Sequence, residues 1–385
     1  MPDGMPNFTL TLHQRIADIP PDEWNACAGT LGGTGNPFVS HAFLSALEDS
    51  GSANDRTGWL PQHAALRQDD AVVAVAPMYA KSHSYGEYVF DHGWAQAFER
   101  AGGEYYPKLL VGVPFSPVPG PRLLARPGVS TAALGQALKQ ACQELGLSSV
   151  HTTFCTEAEW ETLAEAGWLR RQGKQFHWEN DGYADFEGFL GALSSRKRKS
   201  IRRERRDAND CGLTYLTLRG AEITKRHWDA FYGFYHSTVD RKWGSAYLTK
   251  SFFPLLSERL GDQVVLMMAE HDGKLVAGAL NLLGDDALYG RNWGCRGDWP
   301  FLHFELCYYR AIDFAIEHGL KRVEAGAQGE HKIQRGYLPK PTYSAHWIEH
   351  PGLRKAVAGY LEQERRAIEQ EMEALEEYSP FKQGE

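Results

Sequence analysis

The sequence lacks the features that mark membrane-spanning, secreted and zinc-binding chains. No apolar run approaches the roughly 20 residues that a membrane helix needs, and the first 15 residues contain no apolar signal-peptide core. The six cysteines form no C-x-x-C pair, and no H-E-x-x-H pattern occurs. We therefore expect a cytoplasmic protein with reduced cysteines, no membrane insertion and no permanently bound metal or cofactor.

Positively charged residues are outnumbered by acidic ones, 41 Lys and Arg against 49 Asp and Glu. The formal net charge is −8, which argues against a general nucleic-acid binder, since such domains are usually basic. The 11 Trp residues and an aromatic share of 12 % are typical of dense cores or stacking surfaces. A length of 385 residues suits two domains. We place them at 1–180 and 181–385, with a basic linker helix at 195–207 and a C-terminal helix in the second.

Both halves show the same order of predicted elements. Apolar periodicity and turn residues predict an antiparallel meander, then a helix, then a short strand in each half. In the first half these are strands at 61–66, 71–79 and 86–90, a helix at 130–146 and a strand at 148–154. In the second half they are strands at 264–272, 274–283 and 287–294, a helix at 301–319 and a strand at 321–325.

A local repeat supports a duplicated α/β unit. The segments 144-ELGLSSV-150 and 317-EHGLKRV-323 share Glu, Gly, Leu and Val in register, each at a helix-to-strand junction. A meander, a helix and a parallel returning strand make a mixed sheet with one right-handed crossover. This is the layout of the GNAT acyltransferase core, in which two parallel strands splay apart and the acyl donor inserts between them. We therefore expect an α/β fold with two mixed sheets of GNAT type and a donor site between 287–294 and 321–325.

The largest charge run lies between the halves, in 195-SRKRKSIRRERRD-207. It holds eight Lys and Arg against two acidic residues. Charge runs are usually solvated helix faces, but in an otherwise acidic protein this one points to a phosphate-bearing partner. Arg198 and Arg202 share one helix face, and we predict that they contact the donor.

The loop 326-GAQGEHKIQRGYLP-339 places an acid, an imidazole and an amine directly after a predicted strand. Acyl transfer to an amine needs a deprotonated nucleophile, a positioned donor and a group that stabilises the developing oxyanion. We assign the last role to Lys332, with Arg335 and the backbone amides of 326–329 as alternatives, and the amine proton to Glu330 or His331. The structural alternative is that Glu330 pairs with Lys332 and that His331 bonds a carbonyl.

Several sequence blocks carry a resemblance to a known family. They are 86-GEYVFDHGWA-95, 105-YYPKL-109, 289-YGRNWG-294, 303-HFELCYYR-310, 326-GAQGEHK-332 and 335-RGYLP-339. With the basic pattern at 195–212, the chain resembles the bacterial FemAB-like group of N-acyltransferases, which is related to the Fem-type peptidyltransferases. Fem proteins transfer an amino acid from aminoacyl-tRNA to an amine of a peptidoglycan precursor. The resemblance therefore implies a catalytic lysine at position 332, and it leaves aminoacyl-tRNA and acyl-CoA open as the donor co-substrate.

The remaining candidate residues fall into three sets. Those expected to bind the donor near the splay, besides the two arginines of the basic run, are Arg291, Asn292, Trp293, His303, Glu305, Gln328 and Arg335. Those that would line an acceptor groove between the halves, unless they are ordinary packing and rim, are Lys81, Glu87, Asp91, His92, Tyr106 and Lys108. A third set has residue types that bind zinc or iron, namely His303, Glu305, Glu330 and His331. Residues 303 and 305 do not share a helix face, so we predict no metal site.

Two classes of function are compatible with these residues. The first is an N-acyltransferase acting on a small-molecule or peptide amine, with tRNA as a candidate partner. The second is a non-catalytic module that recognises a peptidoglycan precursor or another nucleotide-linked ligand. Glu, His and Lys together at one strand end favour the enzyme, since a binder would need only the cations. We expect Lys332 to be the most sensitive single position for turnover.

Overall fold

The computed structural model describes residues 8–241, 246–326 and 329–382. Its internal contacts divide the chain into two compact units. Unit 1 comprises Met1–Gly173 and Thr342–Ile368, and unit 2 comprises Lys174–Pro341 and Glu369–Glu385. The units therefore differ from the contiguous halves 1–180 and 181–385, because a late segment of the chain returns to unit 1.

Unit 1 contains a small antiparallel sheet of order β1-β3-β4-β7 and part of a larger mixed sheet. Its strands are β1 (Phe8–His13), β2 (Trp59–Pro61), β3 (His63–Gln68), β4 (Ala71–Ala76), β5 (Met78–Lys81), β6 (Lys108–Val111), β7 (Leu124–Ala125) and β8 (Ser149–Cys155). Its helices are α1 (Pro21–Ala28), α2 (His41–Asp49), α3 (His92–Arg100), α4 (Thr131–Glu144) and α5 (Glu157–Glu165). The strand β9 (Leu169–Glu179) then leads into unit 2.

Unit 2 begins with two helices that precede its meander. Its elements are α6 (Phe186–Ala192), α7 (Ser195–Asn209), β10 (Thr214–Arg219), α8 (Lys225–Arg241), α9 (Phe252–Leu260), β11 (Val264–His271), β12 (Lys274–Leu283), β13 (Ala287–Cys295), α10 (Leu302–Phe304), α11 (Arg310–Glu317) and β14 (Arg322–Glu324). A π-helical turn, Glu305–Tyr309, joins α10 to α11. The strand β15 (Leu338–Ile348) starts in unit 2 and ends in unit 1, and α12 (Pro351–Glu376) follows it.

The larger sheet has eleven strands in the order β10-β11-β12-β13-β14-β9-β15-β8-β6-β5-β2. The prediction of two separate sheets is therefore wrong. The reason is an exchange of strands: β9 pairs antiparallel with β14, where Trp178 lies opposite Val323, and β15 pairs antiparallel with β8, where His346 lies opposite His151. Local patterning predicts that β9 is a strand but does not specify its distant partner.

The repeated helix-to-strand junction is confirmed. Helix α4 ends at Glu144 and β8 starts at Ser149, while α11 ends at Glu317 and β14 starts at Arg322. Gly146 and Gly319 both have φ of 65°, the left-handed conformation that lets glycine end a helix. Each returning strand is parallel to the last meander strand of its unit, β8 to β6 and β14 to β13. The fold is thus the mixed α/β arrangement that the sequence predicts in each half.

One local prediction fails, and another is confirmed with different detail. The strand predicted at 86–90 is an irregular loop between β5 and α3, in which Tyr88 has a φ of 60°, a backbone conformation outside the strand region. The helix predicted at 301–319 is real, but it starts at Leu302 after Phe301, whose φ is 55°, and its middle is the π-helical turn. No helix among the described residues is long and apolar enough to cross a membrane.

Candidate active site

The parallel pairing of β13 and β14 stops after three residue pairs. The last pair is Tyr289 with Glu324, whereas β13 continues to Cys295. A register shift against β12 makes Arg291 the extra residue of a bulge, since Gly290 lies opposite Asn281 and Asn292 opposite Leu280. The predicted donor contacts Arg291, Asn292 and Trp293 all lie half-buried on this continuing stretch of β13.

Lys332 lies directly beyond the end of β14. It belongs to a short 3-10 turn, Glu330–Arg335, and is only 3 % exposed. Its Nζ donates hydrogen bonds to the carbonyl oxygens of Ala325, at 2.7 Å, and Gly326, at 2.8 Å. Lys332 thereby places a cation where the two parallel strands separate. The predicted donor residue Gln328 and the side chain of Glu330 lie outside the described parts of the chain.

His331 presents an exposed imidazole on the same turn. Its Nε2 lies 3.0 Å from the hydroxyl oxygen of Tyr308. Burial, Arg335 and Lys332 together lower the pKa of His331, so the ring is neutral at pH 7 and able to accept a proton. Gly329 makes room for the ring, because its φ is 105° and an added Cβ would lie 2.3 Å from His331.

Arg335 ties the site loop to the basic helix α7. Its Nη2 and Nε donate to Oε2 of Glu204 at 2.9 and 3.2 Å, and the Tyr309 hydroxyl donates to the same oxygen. The guanidinium also lies 3.4 Å from the centroid of the Phe304 ring, a cation–π contact. The charge run is helical, as predicted, and Glu204 docks it on the turn that carries Lys332.

A small cavity of about 240 Å³ lies beside Arg335. Oε1 of Gln334 is buried there without a hydrogen-bond partner among the described residues. Arg198 and Arg202, the predicted donor contacts, are not part of the lining, and exposed Arg202 pairs with Glu187. Burial together with Arg196 and Arg335 lowers the pKa of Lys197. The lining residues are Arg196, Lys197, Ser200, Ile201, Glu204, Gln334 and Arg335.

Glu305 and His303 occupy different surroundings. Glu305 is fully buried and accepts hydrogen bonds from Arg205 Nε and Nη2 at 3.2 and 3.1 Å, and Arg310 Nε lies 3.2 Å away, so it holds the π-helical turn in place. The His303 ring packs against Trp293, with ring centroids 5.0 Å apart. In the described ranges, no group of three or more His, Cys, Asp or Glu side chains is arranged to hold a metal ion.

Sequence reasoning missed two buried residues beside the splay, Glu324 and His177. Glu324 Oε1 accepts from Arg322 Nε at 2.9 Å, while Oε2 lies 3.9 Å from His177 Nε2. Burial raises the pKa of Glu324 to about 7, and burial followed by Arg322 lowers the pKa of His177 to about 3. The sequence offers one signal for Glu324, an acidic residue at the end of a strand that leads into a glycine-rich loop. The strand prediction already accounts for a residue at that position, so the signal does not single it out.

The predicted acceptor residues form a closed cluster in unit 1. Lys81 and Lys108 lie opposite each other on β5 and β6 and are fully buried. Like charges opposite each other destabilise a sheet unless they are compensated. Lys108 Nζ donates to Glu87 at 2.8 Å and to Asp91 at 2.5 Å. Burial lowers the pKa of Lys81 to about 7 and raises that of Glu87 to about 7.

Other members of this set lie at the edge of the cluster. The Tyr106 hydroxyl is 2.8 Å from Ser84 Oγ, which also accepts from Lys108. His92 is half-buried and stacks on Phe90. The structure thus brings five of the six predicted residues together, but as a buried network rather than as the lining of an open groove.

The place in unit 1 that corresponds to the splay is filled by the chain itself. The parallel pairing of β6 and β8 ends with Val111 and Thr152. Directly beyond it, the fully buried Arg122 donates to the carbonyl oxygens of Thr153 at 3.0 Å and Val118 at 2.6 Å, and to two further carbonyls. These carbonyls are therefore already bonded.

A family model for FemAB-like proteins, described as peptidoglycan biosynthesis/recognition, matches residues 15–383. The chain belongs to the FemAB-like family. No curated protein is similar enough to this FemAB-like chain to match it.

Solved structures show what this FemAB-like fold is similar to. FemX is 12 % identical, with a TM-score of 0.57 over 88 % of this chain and 98 % of FemX. The C-terminal domain of a putative lysylphosphatidylglycerol synthetase from Agrobacterium fabrum is 10 % identical, with a TM-score of 0.54 over 87 % of this chain and 95 % of that domain. L-PGS from Bacillus licheniformis is 11 % identical, with a TM-score of 0.53 over 86 % of this chain and 98 % of L-PGS. At these identities the likeness shows the fold alone.

Proposed function

We propose that the protein is an N-acyltransferase that moves an acyl or aminoacyl group from a thioester or aminoacyl-tRNA donor onto an amine. The observation that carries the proposal is the position of the Lys332 ammonium, held by the carbonyls of Ala325 and Gly326 where β13 and β14 separate. A donor carbonyl bound along the continuing stretch of β13 would develop negative charge beside this cation.

In the proposed acyl transfer, the main requirement is electrostatic stabilisation of the developing oxyanion, and no covalent intermediate with the enzyme is needed. Lys332 stabilises the oxyanion that forms when the amine attacks the acyl carbon, a contribution that is typically worth about 10²–10³ in rate. His331 is a nearby exposed and neutral imidazole that is able to take a proton. Glu330 shares the turn and stays the second candidate for the proton.

The cationic cavity beside Arg335 is the proposed place for the anionic part of the donor. CoA and tRNA both carry phosphates, and Arg196, Lys197 and Arg335 line one small cavity. This moves the expected phosphate contact from Arg198 and Arg202 to the neighbouring face of α7.

Unit 2 is the donor-binding unit in this proposal. In unit 1, Arg122 lies at the equivalent position and donates to the carbonyl oxygens of Thr153, on β8, and Val118. The family and the Fem resemblance favour an amine of a peptidoglycan precursor as the acceptor.

Donor binding is tested by thermal-shift screening followed by hydrogen–deuterium exchange. Thioesters of CoA and a non-hydrolysable aminoacyl-tRNA analogue are the probes. A true donor should raise the melting temperature and slow exchange of the amides of 290–295, with no change at 112–121. Protection in unit 1 alone would contradict the proposal, and binding without any transfer to amines would favour a recognition module.

A further inference from the structure

Glu324 carries a carboxyl group that is buried at the end of β14. The residue is 4 % exposed, and Arg322 bonds its Oε1. Oε2 has no hydrogen-bond partner among the described residues. A buried polar atom without a partner typically costs about 1–3 kcal/mol, and more for a charged group, so it is rarely retained without a role.

The position of Glu324 connects this oxygen to the proposed site. Glu324 is the last residue of β14 to pair with β13, and the next two residues hold the Lys332 ammonium through their carbonyls. Arg291, the bulged residue of β13, acts electrostatically on Glu324. Oε2 therefore lies at the same strand end as the proposed donor contacts.

We infer that Glu324 is the base that takes the proton from the acceptor amine, an inference that rests on the proposed acyl transfer. The amine nitrogen attacks the acyl carbon of the donor and forms the new C–N bond. The nitrogen then carries one proton too many, and this proton moves to Oε2 of Glu324. The bond from carbon to the leaving thiol or ribose oxygen then breaks with its electron pair. The leaving group takes up a proton, and Glu324 returns its own proton to solvent, so charge and atoms balance.

The surroundings of Glu324 suit this role better than those of His331. A base works best when its pKa lies near the working pH, and burial brings that of Glu324 to about 7 against the opposing cations. His331 is exposed, so water competes for its nitrogen. The charged and titratable groups that face Glu324 come from β13, the turn before it, β14 and β9, and they are Arg291, Tyr289, Asp286, Arg322 and His177.

The test is the dependence of the transfer rate on pH in matched variants. With an acceptor amine that stays unprotonated down to about pH 5, the wild-type rate should fall about tenfold per pH unit below pH 7, because the protonated carboxyl is no base. Glu324→Gln should lower the rate about 10²–10⁴-fold and remove this acid limb. Glu179→Gln alters an exposed glutamate of β9 that pairs with Lys340, and it should leave rate and profile unchanged.

Two outcomes would overturn the inference. One is a Glu324→Gln rate close to that of the wild type, and the other is a reduced rate that keeps the same acid limb, which would make Glu324 a positioning residue. Absence of transfer by the wild type with every donor would instead reject the proposed function itself.

Infrared difference spectra between pH 6 and pH 8 add a readout that needs no activity. They should show protonated-carboxyl absorption from both Glu324 and Glu87, of which Glu324→Gln removes only the Glu324 part, whereas a difference spectrum left unchanged by that substitution would also contradict the inference. Thermal melting shows whether the variant is folded, and Glu324→Asp, which keeps a carboxylate, should retain the acid limb at reduced rate if the Gln variant fails to fold.

Discussion

Lys332 combines a structural and a proposed chemical role, so its substitution should show both. Lys332→Ala leaves the carbonyls of Ala325 and Gly326 without their donor, at about 1–3 kcal/mol for each buried acceptor, and should lower the melting temperature by several degrees. Turnover should fall about 10²–10³-fold. Lys332→Arg can still donate to carbonyls and should restore stability more than activity. A Lys332→Ala protein that is destabilised but fully active per folded molecule would make the lysine structural only.

Glu204 illustrates how much burial changes the contribution of an ion pair to the free energy of unfolding. Glu204 and Arg335 are both less than 10 % exposed, whereas Glu187 and Arg202 form an exposed pair one helix face away. Removing one partner of a buried pair leaves an uncompensated charge, so Glu204→Ala should lower the free energy of unfolding by about 3–5 kcal/mol. Glu187→Ala should lower it by at most about 1 kcal/mol. If urea denaturation shows that Glu204→Ala and Glu187→Ala lower the free energy of unfolding equally, the buried network does not hold the site loop to α7.

Among the elements, the turn that follows β14 depends on one glycine. Gly329 has a φ of 105°, and an added Cβ would meet the His331 ring at 2.3 Å. Gly329→Ala should therefore displace the His331 imidazole and reduce turnover about tenfold or more, since misplacement of about 1 Å costs up to 10²-fold. Gly273→Ala is the control, because Gly273 lies in the β11–β12 turn with a φ of 73° and open space around it. Similar activity in both variants would show that the turn after β14 is not part of the active site.

Helix α7 offers two cationic faces that can be compared directly. Arg196→Gln with Lys197→Gln should weaken donor binding and flatten its dependence on salt, because both residues line the cavity beside Arg335. Arg198→Gln with Arg202→Gln removes the same charge from outside the lining and should have a smaller effect. Titrations of donor binding at several salt concentrations decide between the faces. A larger effect of the Arg198 and Arg202 pair would restore the assignment made from helical spacing alone.

Element prediction succeeded where local chemistry determines the structure. Capping residues fix helix starts in the structure: the Ser40 side chain accepts from Phe43 N, and Thr156 forms a capping box with Glu159. The meander of unit 2 was predicted to within a residue or two. The aromatic residues at 86–90 are typical of a strand, so local propensity predicts one. A tertiary contact, the hydrogen bond between Lys108 and Glu87, accompanies the irregular loop that forms there. The surroundings of Glu324 Oε2 depend on distant neighbours, so no local pattern reveals them.

At the scale of the whole molecule, buried titratable groups predict how stability varies with pH. The pKa of His151 and of His177 is lowered by burial to about 3, and that of His346 is also well below its usual value. These histidines contribute stability above pH 6.5 that is lost as the pH falls, because only the unfolded chain takes up their protons. Glu87 and Glu324 act oppositely between pH 7 and 4.5, since the folded chain holds their protons.

Between pH 6.5 and 4.5 these two glutamates are outnumbered by the histidines with lowered pKa values, which also include His13, His41, His83, His227 and His331. Stability should therefore fall as the pH falls through this window. Below pH 4.5 the unfolded glutamates also bind protons, so stability should fall more steeply. Urea denaturation at pH 7, 5.5 and 4 measures both slopes. Constant stability down to pH 4 would contradict the buried, neutral state of these histidines.

The exchange of β9 and β15 is the feature of the whole chain that its sequence conceals. The sequence predicts β9 as a strand but not β15, and the duplicated junctions at Gly146 and Gly319 reveal the repeat. Which strand pairs with which is decided by contacts across more than 140 positions of the chain, as between Val323 and Trp178, where local propensity carries no information. The division into units therefore had to come from the structure.

Mass spectrometry of the reaction products shows whether the protein transfers an acyl group to an amine and whether unit 2 does so through Lys332. Wild-type protein and Lys332→Ala are incubated with acyl-CoA or aminoacyl-tRNA and a panel of amines that includes a UDP-sugar peptide precursor of peptidoglycan. We expect an acylated amine with one donor class, formed about 10²–10³ times more slowly by the variant. No acylated product with any donor, or equal rates for the two proteins, would contradict it.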